Sequence, residues 1–332
     1  MLHDLKIVVL IPCYKVERHI ADVVASVPAF VDRIIAVVDG SPDGSLAILQ
    51  SLSCERLLII SHEQNLGLGA AMATGYKEAL KEGADIVVKL DGDGQMQPKY
   101  LESLIDPIAN NLCDYAKGNR FRHTRALSSM PKIRLLGSIG LTFLTKMASG
   151  YWNVTDPQNG YVAIAGSFLG ALDFDRLSRR RFFFENEMLI QLNVEEARVL
   201  DVPIPAIYAD EKSTMSIQNV LLTFPVLLIK GYFWRLFQRF IVRDFSLIAP
   251  LYILGSIFVF YGLYSGLSAW CQNAPRNIPT PTGTIMKATI PLILGFQMLL
   301  QGVLIEILST PKPEKSILRR TNNCVSKQKD LT

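Results

Sequence analysis

The chain has 332 residues, a formal net charge of +4 and 49% hydrophobic residues, which is enough length for a full core and a second module. The small net charge, with no interleaving of basic and aromatic residues, argues against nucleic acid as a partner. Five cysteines without a CxxC spacing and four histidines without an HExxH pair support neither a structural zinc site nor a disulfide framework.

The first residues, 1–4, lack the basic stretch and small-residue cleavage site of a signal peptide, so the large N-terminal part is expected in the cytosol. Strand-like runs at residues 7–11, 33–38, 57–61 and 86–90 alternate with helix-like stretches at 16–26, 45–52 and 68–81. This βαβα order predicts a mostly parallel sheet wrapped by helices. Each strand-like run ends in a polar cluster: residues 12–17, 39–45, 62–69 and 91–95. Ligands of open α/β sheets bind at the carboxyl ends of the strands, so the four clusters define one functional rim. Gly67-Leu68-Gly69 is not a dinucleotide fingerprint, because Met72 stands where a third small residue is needed and the motif follows the third strand. It is either a helix-start loop or a plain turn.

The most informative stretch is Asp91-Gly92-Asp93-Gly94-Gln95. Residues i and i+2 of an extended chain share a face, so Asp91 and Asp93 can converge on one hard cation, with the glycines leaving room for a phosphate. A polar turn is the plain alternative. A calcium loop is excluded, because Gly94 lies two places early for the turn glycine and Pro98 interrupts the loop. The run Arg181-Phe182-Phe183-Phe184-Glu185-Asn186-Glu187 reads as a core strand, although Glu185 or Glu187 could face a ligand.

The C-terminal third differs. Residues 213–243 mix large apolar side chains with Lys230, Arg235 and Arg239, and read as helices lying at a membrane interface or as core helices. No charged residue occurs between Asp244 and Arg276, and residues 245–270 are long enough to span a hydrocarbon core. Residues 288–308 form a second candidate span, interrupted by Gln297, Gln301 and Glu306, for which a buried reentrant helix is the alternative. The linker 271–287 carries Pro275, Pro279, Pro281 and Gly283 and is not expected to continue a helix. Basic residues precede the first span (Lys230, Arg235, Arg239, Arg243) and follow the second (Lys312, Lys315, Arg319, Arg320), which places both ends on the cytoplasmic side. The expected organisation is a cytosolic α/β domain over 1–212, interfacial helices over 213–243, a two-helix transmembrane hairpin over 244–308 and a cytosolic tail over 309–332. The hairpin has no polar cluster placed to reach the rim, so a chain cut near Arg243 is expected to keep ligand binding.

Taken in order, the motifs beginning at Ile11-Pro12-Cys13-Tyr14, Asp39-Gly40-Ser41, Asn65-Leu66-Gly67, Asp91-Gly92-Asp93-Gly94-Gln95, Gly118-Asn119-Arg120 and Asp156-Pro157-Gln158-Asn159-Gly160, with Arg134 and Ser138 between the last two, resemble those of family-2 inverting glycosyltransferases. The similarity covers most of residues 5–215 and is greatest to the polyisoprenyl-phosphate glycosyltransferases of the dolichol-phosphate mannose synthase group. It implies a GT-A type, Rossmann-like α/β fold and transfer of a hexose, with inversion, from a UDP-sugar or GDP-mannose to a polyprenyl phosphate. It further implies that Pro12, Tyr14, Glu17 and Asp39, with Asn65 and Gly67, line the nucleotide-sugar pocket. Asp91, Asp93 and Gln95 would hold Mg2+ or Mn2+ on the diphosphate. Arg120, Arg134 and Ser138 would meet the acceptor phosphate. Asp156 and Gln158 could bind sugar hydroxyls or order their loop. Val38 stands where relatives often have the first of two acids, leaving Asp39 to serve the base or ribose. Lys212 stands near where many relatives have an arginine, as a point charge without the bidentate fork. Other lipid or glycan acceptors, and an inactive sugar-nucleotide-binding membrane partner, are the alternatives. A processive polymer synthase is disfavoured by the lack of a Gln-x-x-Arg-Trp motif. A homo-oligomer is left open.

Overall fold

The computed structural model describes residues 4–120, 132–205 and 217–313. In chain order the elements are β1 (Ile7–Cys13), α1 (Ile20–Ser26), β2 (Arg33–Asp39), α2 (Ser45–Ser51), β3 (Leu57–His62), α3 (Leu68–Lys81), β4 (Ile86–Lys89), α4 (Leu101–Ala109) and β5 (Tyr115–Asn119). They are followed by α5 (Lys132–Ser149), β6 (Val162–Ala165), the short helices α6 (Gly166–Leu169) and α7 (Phe174–Ser178), α8 (Phe184–Val194) and β7 (Val199–Pro203). Three long helices complete the chain: α9 (Ile217–Phe237), α10 (Ile248–Asn273) and α11 (Thr282–Leu308). By compactness the chain divides into two units, one built on the residues up to Tyr232 and the other comprising Phe233–Thr310.

In the first unit a seven-stranded sheet has the order β3-β2-β1-β4-β6-β5-β7. Only β6 runs against its neighbours, pairing antiparallel with β4 and β5, while the other four pairings are parallel. The period-2 alternation of β1 explains why its sequence is apolar throughout. Ile7, Val9 and Ile11 pack with Ile20, Leu101 and Leu104 on one face, and Val8 and Leu10 pack with Met72, Tyr76 and Met188 on the other. A strand covered by helices on both sides has no polar face to show. The helix expected from residue 16 starts at Ile20.

The run 181–187 corrects the sequence reading. It is not a strand, since α8 starts at Phe184 and all eleven of its residues are buried. Burial on every side removes the 3.6-residue polarity that would have betrayed a helix. Glu185 and Glu187 fall in its first turn, where carboxylates suit the helix dipole.

In the second unit α10 and α11 are each long and apolar enough to cross a membrane. They approach at glycines: a Cβ on Gly255 would lie 3.0 Å from the Gly295 carbonyl oxygen, and one on Gly295 would lie 2.6 Å from the Gly255 oxygen. Small residues at such a crossing let two backbones pack closely without a hydrophobic driving force. Phe260, Tyr264, Trp270, Ile293 and Phe296 are each more than half exposed, an apolar surface suited to lipid. The expected linker of 271–287 shrinks to residues 277–281, because Pro275 sits in a 3-10 turn and Pro281 caps α11. A proline at a helix start costs no hydrogen bond. Arg235 is fully buried and pairs with Glu306 at 2.6 Å, while the Tyr252 hydroxyl donates to the other Glu306 oxygen at 2.9 Å. Residues 233–243, expected to belong to an interfacial segment of their own, therefore pack with the hairpin.

Candidate active site

The chain winds from β1 through β2 to β3 on one side of the sheet, then returns to place β4 on the other side of β1. Such a reversal opens a crevice beyond the carboxyl ends of the strands. Here the crevice is a cavity of about 780 Å³. Of the residues singled out from the sequence, Pro12, Tyr14, Asp39, Asn65, Gly67, Asp91, Asp93, Gln95, Arg120 and Gln158 line it. Arg134 and Ser138 fall in α5 with side chains outside the described residues, and Lys212 lies outside them altogether.

The acidic motif is built differently from the extended segment expected. β4 ends at Lys89 and the chain turns at Gly92 and Asp93, so Asp91 and Asp93 line the cavity from a turn rather than from alternate positions of a strand. The Asp93 Oδ1 accepts from the Gln95 backbone N–H at 2.9 Å, which closes the turn. Asp91 Oδ1 lies 2.9 Å from Lys89 Nζ. Among the described residues no group of three or more His, Cys, Asp or Glu could hold a metal by itself. The two carboxylates and the Gln95 amide oxygen are hard donors that fit Mg2+ or Mn2+ when a bound ligand completes the shell with oxygens of its own.

Three of the carboxylates singled out from the sequence are engaged by donors within the protein. Glu17 does not reach the cavity. It lines a smaller neighbouring hollow and accepts from the Gly44 N–H at 2.8 Å, so it ties the segment after β1 to the start of α2. Asp39 reaches the cavity wall, but both of its oxygens are engaged: Leu66 N–H at 3.0 Å, Gly67 N–H at 2.7 Å and His62 Nδ1 at 2.8 Å. It orders the loop carrying Asn65 and Gly67. Asp156 is 1% exposed and lies behind Arg120, holding that guanidinium with Nε to Oδ2 at 2.8 Å and Nη2 to Oδ1 at 3.1 Å. The fork fixes the plane of Arg120 at the cavity wall. Gln158 donates to Asn186 Oδ1 at 3.0 Å.

The sequence reading missed Lys89 and read Arg181 and Phe182 as core strand, yet all three line the cavity. Arg181 Nη2 donates to the Asn65 carbonyl at 3.3 Å. A signal for Lys89 was present, because a single lysine inside a buried apolar strand needs a charged partner. Lys89 is 2% exposed and lies between Asp91 and Glu185, at 2.9 and 3.5 Å. Burial works to lower its pKa, but those two carboxylates outweigh burial and hold the ammonium above its ordinary value. Lys117, fully buried on β5, is pulled down to about 8 by burial despite Glu185, Asp156 and Asp201. Burial also pushes the Cys13 thiol well up, with Asp43 and Asp91 adding to it, so this cavity residue is no thiolate nucleophile.

A doubly wound sheet with acidic and basic groups lining one rim cavity defines a ligand-binding α/β domain. Residues 8–169 match the family described as Glycosyl transferase family 2. The chain is 34% identical over 238 residues to the UDP-N-acetylglucosamine–dolichyl-phosphate N-acetylglucosaminyltransferase of Methanococcus voltae, covering 67% of this chain and 94% of that protein. It is 26% identical over 201 residues to the polyprenol monophosphomannose synthase of Mycolicibacterium smegmatis, covering 59% of this chain and 75% of that one. The fold is shared with glucosyl-3-phosphoglycerate synthase from Mycobacterium tuberculosis in complex with UDP, at a TM-score of 0.53 and 18% identity, covering 70% of this chain and 80% of that chain. This chain belongs to glycosyl transferase family 2, and its activity is sugar transfer.

Proposed function

We propose that the protein transfers a hexose or N-acetylhexosamine from a nucleotide sugar to a polyprenyl phosphate, with inversion, at the cytoplasmic face of a membrane in which α10 and α11 are embedded. The observation that carries this reading is the pairing within one cavity of the Asp91-Asp93-Gln95 turn and the Arg120–Asp156 fork. The first suits the donor diphosphate and the second an anionic acceptor. The similarity to the Methanococcus voltae enzyme, over 94% of its length, supports a UDP-sugar as the first donor to test.

The chemistry follows from the charges. A phosphate monoester is largely ionised at neutral pH, with a second pKa of about 6, so the acceptor oxygen needs no protein base. That oxygen attacks the anomeric carbon from the face opposite the nucleotide. The bond from that carbon to the diphosphate oxygen breaks, its electron pair leaves with the nucleoside diphosphate, and the configuration inverts. Mg2+ or Mn2+ held by Asp91, Asp93 and Gln95 would neutralise charge on that leaving group. Arg120, set by Asp156, orients the acceptor phosphate and offsets its repulsion from the donor. Tyr14, 42% exposed at the cavity, offers an aromatic face for stacking. The basic residues flanking the two apolar helices support cytoplasmic placement of both chain ends.

The test is transfer of radiolabelled sugar from UDP-N-acetylglucosamine, UDP-glucose and GDP-mannose to undecaprenyl phosphate, using full-length protein in membranes with Mg2+ or Mn2+. Transfer is expected with at least one donor and is expected to vanish with EDTA or Asp93→Asn. Undiminished transfer by Asp93→Asn in the presence of chelator would refute the metal role, and no transfer from any donor would refute the acceptor class.

A further inference from the structure

Below the acidic turn the cavity has a buried ionic floor that the proposed reaction leaves without a task. Lys89 on β4 and Lys117 on β5 are both in register with Val162 on β6, the strand between them. Residues in register on neighbouring strands share a face of the sheet, so both ammoniums rise on the side of α8. Lys117 Nζ donates to the Asn159 carbonyl. Lys89 Nζ joins Asp91 Oδ1 at 2.9 Å to Glu185 Oε1 at 3.5 Å. Gly160 leaves the space for this, since a Cβ there would stand 2.4 Å from Lys89 Nζ and 3.4 Å from Asp91 Oδ2.

Two features point to a ligand. Apolar side chains of similar volume would fill a buried ionic site at equal or better stability, so the charges are poorly explained by stability alone. The two carboxylates of α8 also differ. Glu187 is occupied by Arg176 and, at 3.4 Å, by Arg180. Glu185 lines the cavity, and among the described residues no donor other than Lys89 reaches it. An ionised carboxylate only accepts hydrogen bonds and repels phosphate, so the matching ligand groups are hydroxyls.

We infer that Lys89 and Glu185 form a sugar-reading couple in the donor site. Glu185 accepts hydrogen bonds from hydroxyls of the donor hexose, and Lys89 is a positioning residue that fixes this carboxylate relative to Asp91. The inference rests on the proposed reaction and deepens it. It places recognition of the sugar on α8 and of the diphosphate on the turn after β4, with one buried ammonium shared between them.

The experiment is calorimetric titration of full-length protein in detergent, with Mn2+ present, using UDP-N-acetylglucosamine, UDP-glucose, GDP-mannose, UDP and GDP as probes. With the sugar nucleotide that binds the wild type best, Glu185→Gln is expected to weaken affinity by about ten- to hundredfold, the range for a lost hydrogen bond to a charged group. Affinity for the matching nucleoside diphosphate should change less than about twofold, because the nucleotide does not touch Glu185. Lys89→Met is expected to weaken both, since it releases Asp91 as well as Glu185. The Lys89→Met/Glu185→Leu double variant should unfold at a temperature no lower than the wild type, which separates a recognition defect from a folding defect. Equal weakening of sugar nucleotide and nucleoside diphosphate by Glu185→Gln, or no weakening of either, would overturn the inference and leave the transferase reading standing. Failure of the wild type to bind any of the sugar nucleotides would overturn both.

Discussion

Lys117 offers a test of the buried charges that needs no substrate. Its ammonium is wholly buried on β5, and burial lowers its pKa from 10.5 to about 8, although Glu185, Asp156 and Asp201 pull the other way. At ~1.4 kcal/mol per pH unit, the gap corresponds to about 3 kcal/mol. Below pH 8 the folded and unfolded chains both carry the proton, and the folded state bears the full cost of the buried charge. Between about 8 and 10.5 the folded chain has lost the proton while the unfolded chain keeps it, so stability rises with pH and then levels off. Lys117→Met removes the titration and also the hydrogen bond to the Asn159 carbonyl. That bond is worth ~1 kcal/mol, which leaves the variant about 2 kcal/mol more stable than the wild type at pH 7. For a unit of this size, ~2–4 °C per kcal/mol converts this to roughly 4–8 °C in melting temperature. The assay is thermal unfolding followed by intrinsic fluorescence at pH 7, 8, 9 and 10. Other groups titrate identically in both proteins, so the difference between the curves isolates Lys117. The advantage of the variant should shrink to nothing near pH 10. Parallel curves, or a wild type that loses ground as pH passes 8, would mean that the surrounding carboxylates stabilise the ammonium in place, and the reasoning would fail.

Other perturbations test the remaining parts. Arg120→Ala should cut kcat/KM for prenyl phosphate about tenfold or more while sugar-nucleotide affinity stays within about twofold; it should also destabilise the fold by about 2–3 kcal/mol, because Asp156 is left buried without its fork. Kinetics with each substrate varied, together with a melting curve, check both, and Arg120→Lys should restore stability better than activity. Glu306→Gln removes the charged partner of the buried Arg235 and should lower stability by about 3–5 kcal/mol, whereas Arg235→Met/Glu306→Leu should be tolerated in detergent unfolding assays. A chain ending at Tyr232 should be obtained in higher soluble yield than one ending at Arg243, which keeps Arg235 but loses Glu306. Retained nucleotide binding by the shorter chain would show that the hairpin serves encounter with a lipid substrate rather than chemistry.

Much of this protein is dictated by local pattern. The apolar runs that became β1 to β4, the polar clusters at their ends and the two long apolar helices all follow from periodicity and length, which neighbouring residues determine. What each polar group does was decided by the tertiary fold. Asp39 and Glu17 read as ligand carboxylates and Asp156 as either a ligand or a loop-ordering group, and only the fold shows that donors from distant segments engage all three. The stretch 181–187 hid a helix because α8 is enclosed on every side, so no polar stripe remained to mark its period. Lys89 and Glu185 belong to β4 and α8, elements distant in sequence that only the fold brings within an ion pair. An ion pair between residues so far apart leaves no periodic trace in sequence. Its energy depends on burial and distance, and both exist only once the chain has folded.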